Sequence, residues 1–92
     1  LDSVDFVENG GAITDPSDPN EVVDVLTEDL FPFGVDTTKR DALKEILLDG
    51  MADSFWTSAW ATYASGGPDG VVRTRLNALF QAILQSPEYQ LS

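Results

Sequence analysis

The stretch that decides the fold is PDGVVRTRLNALFQAILQSPEYQ, residues 68–90. Its apolar side chains recur at spacings of three and four, which is the period of an amphipathic α-helix. Pro87 ends the pattern, because a proline disfavours helical geometry in the residue before it. We therefore predict a long helix that enters through Pro68, Asp69 and Gly70 and lies at the centre of the core. Its predicted apolar face consists of Val72, Leu76, Leu79, Phe80, Ile83 and Leu84.

Three shorter helices are predicted ahead of this one. They span about residues 18–31, 37–50 and 53–67. The first has the clearest start, because Asp18 can act as N-cap, Pro19 suits the first helical position and Glu21 is the capping-box partner. The second opens at Thr37 or Thr38 and ends at Gly50. Each helix has one apolar stripe that needs another helix to cover it, so we predict an all-α bundle or irregular array of four short helices.

Residues 1–19 form an extended or loop acidic N-terminal segment in this prediction, and residues 20–92 form the helical domain. Gly10, Gly11 and Pro16 favour irregular backbone in the first segment. Val4, Phe6 and Ile13 are its candidate anchors on the helical domain.

Composition limits the functions that the chain can perform. Its 92 residues suffice for one small domain, and 16 acidic against 5 basic residues give a net charge of −11. Ten of the acids lie in the first 36 residues, which contain no base. This charge repels nucleic acids and anionic lipid surfaces, and no apolar run approaches the length of a membrane-spanning helix. The absence of Cys and His excludes disulfides, zinc and haem sites and histidine-based catalytic triads.

Residues 21–26, the Phe-Pro-Phe-Gly linker at 31–34, residues 43–50 and the closing segment 75–90 carry a family resemblance. Together they resemble the C-terminal end of the bacterial domain-of-unknown-function-1800 proteins, and the closing Ser-Pro-Glu-Tyr-Gln at 86–90 is the most specific part. The resemblance covers about residues 20–92. It implies a terminal helical segment of a larger, exported protein, with an extracellular or periplasmic location and any activity residing elsewhere in that protein.

Two groups of side chains are candidate ligand sites. Trp56, Trp60 and Tyr63 recur at helical spacing, so they belong to the core first, but an exposed edge of the cluster could stack on a sugar ring. The second group offers oxygen donors, the ligand type that calcium prefers. It consists of Asp15, Asp18, Asn20, Glu21 and Asp24. Because an EF-hand spacing is absent and Asp18 and Glu21 have capping roles, solvated acidic surface is the favoured interpretation.

The sequence as a whole predicts a non-catalytic helical module that serves structure or protein interaction. Its predicted partner is the rest of the parent chain or another protein, with no nucleic acid and no membrane insertion. A carbohydrate-binding accessory module and a calcium-stabilised acidic module are the alternatives. The sequence predicts no cofactor, and calcium is the alternative that the acidic donors leave open.

Overall fold

A computed structural model describes residues 3–9, 11, 13–31 and 35–86 of the chain. Within these ranges the chain forms helices and no strand, which confirms the predicted all-α class. The helices are α1 Ser3–Asn9, α2 Pro19–Leu30, α3 Thr37–Leu48, α4 Asp53–Ala64 and α5 Gly70–Leu84. The prediction of four helices is therefore wrong by one. The linker at 32–34 and the closing motif at 87–90 lie outside the described residues.

The additional helix is α1, in the segment that the sequence predicts to be extended or loop. Val4 and Val7 lie one turn apart and are both buried, and the Phe6 ring packs edge-on against Phe80 of α5 at a centroid distance of 5.7 Å. Ser3 Oγ donates a 2.6 Å hydrogen bond to Asn77 Oδ1, also on α5. A helix of 7 residues is not stable alone, so α1 depends on this packing, which a local sequence pattern does not reveal.

Helix α2 begins as predicted, but without the capping box. Asp18 is the N-cap and accepts a 2.9 Å hydrogen bond from the backbone N–H of Asn20, with Pro19 in the first turn. The backbone N–H of Asp18, which a capping-box glutamate would bind, donates instead to the carbonyl of Asp15 at 3.1 Å. The Glu21 carboxylate is therefore available to accept from the Thr14 hydroxyl at 3.0 Å and the Asp15 backbone N–H at 2.6 Å.

The other helix ends lie within three residues of the predicted positions. The N-cap of α3 is Asp36 rather than Thr37 or Thr38, and its carboxylate accepts from the Lys39 N–H at 2.8 Å. Helix α3 ends at Leu48; its C-cap residue Asp49 is left-handed, with a φ of 54° and a ψ of 39°, and Gly50 follows with a φ of 74°. This backbone geometry reverses the chain within the four residues that separate α3 from α4.

The core forms around α5, as the sequence predicts, and takes side chains from every helix. The α5 residues Val72, Leu76, Leu79, Phe80 and Ile83 are all buried. Leu84 is not, because 48% of it is exposed, so its predicted place on the buried face is wrong. The core is completed chiefly by Val4, Val7, Ile13, Val22, Val23, Leu26, Phe31, Leu43, Leu47, Leu48, Trp56 and Trp60.

Candidate functional site

The aromatic cluster predicted on α4 exists, and it faces inward. Trp56 is completely buried and only 7% of Trp60 is exposed, whereas Tyr63 is half-buried. The ring centroids of Trp56 and Trp60 are 6.0 Å apart, and those of Trp60 and Tyr63 are 5.2 Å apart in an edge-on arrangement. A sugar-stacking platform needs accessible ring faces, and this cluster offers solvent little more than part of Tyr63. Sugar binding stays a prediction that this geometry does not favour.

The cluster holds the N-terminal segment against the helical domain. The indole N–H of Trp56 donates a 2.7 Å hydrogen bond to the Pro16 carbonyl, and the Thr57 hydroxyl donates to the Ser17 carbonyl at 2.8 Å. Tyr63 reaches α1, where its hydroxyl donates a 2.6 Å hydrogen bond to the Glu8 carboxylate. The aromatic residues of α4 therefore have a structural use that the sequence pattern alone does not show.

The predicted calcium donors are dispersed among separate internal contacts. They are Asp15, Asp18, Asn20, Glu21 and Asp24. The Asp18 and Glu21 carboxylates accept hydrogen bonds from the backbone, as described for the start of α2. The Asp15 carboxylate accepts from the Ser17 backbone N–H at 3.1 Å.

The two remaining donors of that set contact other helices. Asp24 forms an ion pair with Arg40 of α3, and the Asn20 side-chain amide donates to the Asp53 carboxylate of α4 at 3.2 Å. In the described part of the chain no three carboxylate side chains converge into a group that could hold a metal ion. Calcium binding stays a prediction without a preformed site among these residues.

Asp53 has a perturbed carboxyl group at the start of α4. Lys44 of α3 lies 3.1 Å from it and donates a hydrogen bond, which lowers the pKa of Asp53 below its usual 3.8. The Asn20 amide adds a smaller effect in the same direction, while partial desolvation opposes both. This pair ties α4 to α3 and leaves Lys44 occupied.

A surface that sequence reasoning missed lies where α3 ends and α5 begins. Two adjoining hollows of about 630 and 530 Å³ share Asp49 and Arg75 as lining residues. We call this region the Asp49 surface. Its lining includes Glu45, Ile46, Asp49, Phe55, Val71 and Arg75.

Arg75 lines both hollows and makes two contacts with the C-terminal end of α3. Its guanidinium donates a 2.9 Å hydrogen bond to the Ile46 carbonyl at the end of α3 and lies 3.5 Å from the Asp49 carboxylate. Only about a fifth of the Arg75 side chain is exposed, whereas 73% of the Asp49 side chain is. One feature of the sequence could have indicated this surface: Val71 is apolar but lies off the predicted buried face of α5.

Comparisons with known proteins found no matching family model, no matching curated protein and no matching solved structure. Membership of the domain-of-unknown-function-1800 family therefore stays a prediction based on the motifs quoted above. None of the helices in the described ranges combines the length and the apolar character that crossing a membrane requires.

Proposed function

We propose that this chain is a non-catalytic helical module that binds a basic protein surface, supplied by the rest of a parent protein or by another protein. The observation that carries the proposal is the distribution of charge among the described residues. At least four of the five basic side chains form ion pairs with acidic groups of the same chain. These pairs are Arg40–Asp24, Lys44–Asp53, Arg73–Asp69 and Arg75–Asp49.

This internal pairing leaves a large surplus of carboxylates at the surface. The exposed acids include Glu28, Asp29, Asp36, Asp41 and Glu45. With a net charge of −11 on 92 residues, the chain has a negative field that speeds encounters with basic surfaces and disfavours acidic ones. A basic protein partner is the macromolecule that this field best fits, since nucleic acids and anionic membranes carry the same sign of charge as the chain.

The setting that we propose is a larger, exported bacterial protein of which this chain is the C-terminal helical module. The motif resemblance in residues 20–92 supports it. A catalytic activity of the parent would then reside outside this chain, and the module would contribute to assembly. The extracellular or periplasmic location belongs to the same proposal.

The proposal can be tested with two labelled peptides that have the same pattern of leucines but opposite charge. One alternates leucine with lysine and the other alternates leucine with glutamate, and fluorescence anisotropy follows their titration with the intact chain. We expect saturable binding of the lysine peptide with one-to-one stoichiometry, weakening as salt is raised, and no saturable binding of the glutamate peptide. Failure of the lysine peptide to bind, or equal binding of both peptides, would contradict the proposal.

A further inference from the structure

We infer that the Asp49 surface is the docking site for this partner, and that its occupant is a short segment in which apolar side chains alternate with lysine or arginine. This inference rests on the proposed function and specifies its location. It follows from the coincidence, in one place, of exposed apolar area, accessible carboxylates and a rigid backbone turn.

The apolar part of the surface is contributed by α3, α4 and α5. Val71 lines one of the hollows with 51% of its surface exposed, and the half-buried Phe55 lies in the same hollow. Met51, in the turn that follows Asp49, is 56% exposed but is not among the residues that line the two hollows. Exposed apolar groups in contact with a hollow indicate an interaction site more strongly than the same groups scattered singly.

The third large exposed apolar residue, Leu84, provides an internal comparison. It lines a different hollow of about 420 Å³, together with Ser3, Asn77, Gln81 and Gln85. Among the residues that the structure describes, none that lines that hollow is charged. Apolar exposure and acidic groups therefore coincide at the Asp49 surface and not at the Leu84 hollow, which makes the former the better match for a basic amphipathic segment.

Among the described lining residues of the Asp49 surface, two carboxylates, of Glu45 and Asp49, outnumber one cation, Arg75. Arg75 has its strongest contact with the Ile46 carbonyl, at 2.9 Å, and a looser one with the Asp49 carboxylate, at 3.5 Å. Asp49 is largely exposed, and Glu45 lies one turn earlier on the exposed side of α3. A lysine or arginine of the partner could pair with both carboxylates while Arg75 keeps its bond to the carbonyl.

Backbone hydrogen bonds close the turn that carries Asp49. The Gly50 N–H donates to the Glu45 carbonyl at 3.2 Å, which closes the end of α3, and the Met51 N–H donates to the Leu48 carbonyl at 3.0 Å. The left-handed conformation of Asp49 suits this closure and directs the chain towards α4. A preorganised surface loses less conformational entropy when a partner binds.

The test maps the binding of the lysine–leucine peptide on the intact, ¹⁵N-labelled chain by NMR. We expect the largest amide shifts in residues 45–52, 55 and 71–78. The double variant Glu45→Gln/Asp49→Asn should bind the peptide about three- to tenfold more weakly, because each lost surface charge pair has a modest effect. Its matched control is Glu28→Gln/Asp29→Asn, which removes the same charge from exposed positions on α2 and should weaken binding less than twofold.

A second pair of variants tests the apolar part. Val71→Ser should weaken binding about fivefold, whereas Leu84→Ser, at a position of similar exposure, should leave binding within about twofold of the original. Circular dichroism of each variant verifies that the helices persist.

The outcomes distinguish failure of the proposed docking site from failure of the proposed function. If the peptide binds but its shifts centre on α2, or if both charge variants weaken binding equally, the docking site is wrong and the proposed function stands. If the lysine–leucine peptide does not bind, both the docking site and the proposed function are contradicted. Concentration-dependent shifts at residues 45–52 without peptide would show that a second copy of the chain covers the surface, which also overturns the inference.

Discussion

Replacing Trp56 with Phe tests whether the aromatic cluster of α4 holds the N-terminal segment in place. The indole of Trp56 is completely buried, and its N–H donates a 2.7 Å hydrogen bond to the Pro16 carbonyl, forty residues away in sequence. Phenylalanine keeps an aromatic ring in the core, removes the donor and leaves the carbonyl without this partner. The replacement therefore perturbs one long-range contact while it retains most of the apolar packing.

Two contributions determine how much Trp56→Phe lowers the free energy of unfolding. The smaller ring leaves part of the indole volume empty, which costs about 1–2 kcal/mol in a well-packed core. Loss of the hydrogen bond, with the half-buried Pro16 carbonyl left unsatisfied, costs about 1–2 kcal/mol more. We therefore expect Trp56→Phe to lower the free energy of unfolding by about 2–4 kcal/mol, a large share of the total for a domain of this size.

Trp60→Phe is the matched control, because Trp60 is nearly buried on the same helix and its indole forms no hydrogen bond to the residues that the structure describes. Urea unfolding followed by circular dichroism at the helical band gives both free energies. We expect Trp56→Phe to cost about 1–2 kcal/mol more than Trp60→Phe. Equal losses within about 0.5 kcal/mol would refute the view that the bond to Pro16 fixes the N-terminal segment.

Three further outcomes are expected. Phe6→Ala should destabilise the chain by about 1–3 kcal/mol, measured by urea unfolding, because the ring packs on Phe80; a loss below about 0.5 kcal/mol would contradict the docking of α1. Because the hydrogen bond from Lys44 lowers the pKa of Asp53 in the folded chain, the ionised carboxylate stabilises the fold above its usual pKa of 3.8, and this stabilisation disappears as the pH falls through the lower folded pKa. Asp53→Asn should thus be less stable than the parent chain near neutral pH, with a difference in thermal midpoint that shrinks below about pH 3.8; a constant difference would exclude the ionisation as its cause. Millimolar calcium and chelator should give the same thermal midpoint, because the acidic donors of the N-terminal half are engaged in separate internal contacts; a rise in calcium would show that these contacts rearrange around the metal.

Helices α2 to α5 could be predicted because their signals are local. Asp18 and Pro19 fix the start of α2, and Gly50 lies within two residues of the end of α3. The capping-box role predicted for Glu21 is wrong, because the Asp18 N–H donates to the Asp15 carbonyl instead, and the local sequence pattern does not show this choice of acceptor. The sequence does not predict helix α1, because seven residues give too few turns for a periodic pattern. Its helical form depends on contact with α5, more than sixty positions later in the chain.

The candidate site is harder to predict from the sequence than the helices are. Burial of Trp56 and Trp60 agrees with their spacing, but their bonds to the N-terminal segment depend on how the chain folds back over α4. The Asp49 surface consists of hollows between α3, α4 and α5. The sequence pattern of one helix does not predict how closely it packs against the others. Sequence can show that Val71 lies off the buried face, but only the packed structure shows that Val71 borders a hollow with Asp49 beside it.

Helix α5 contributes both to the core and to the proposed binding surface, the Asp49 surface. Its buried stripe, with Val72, Leu76, Leu79 and Ile83, lies inside the bundle. A second stripe, residues 77, 80, 81 and 84, lies on the side covered in part by α1, while a third, residues 71, 74, 75 and 78, lines the two hollows of the Asp49 surface. Each of the latter stripes repeats the spacing of three, four and seven that one helix face requires. Because α1 covers part of one side and the end of α3 contacts Arg75 on the other without filling the hollows, Val71 of the third stripe and the neighbouring acids Glu45 and Asp49 remain accessible to a partner.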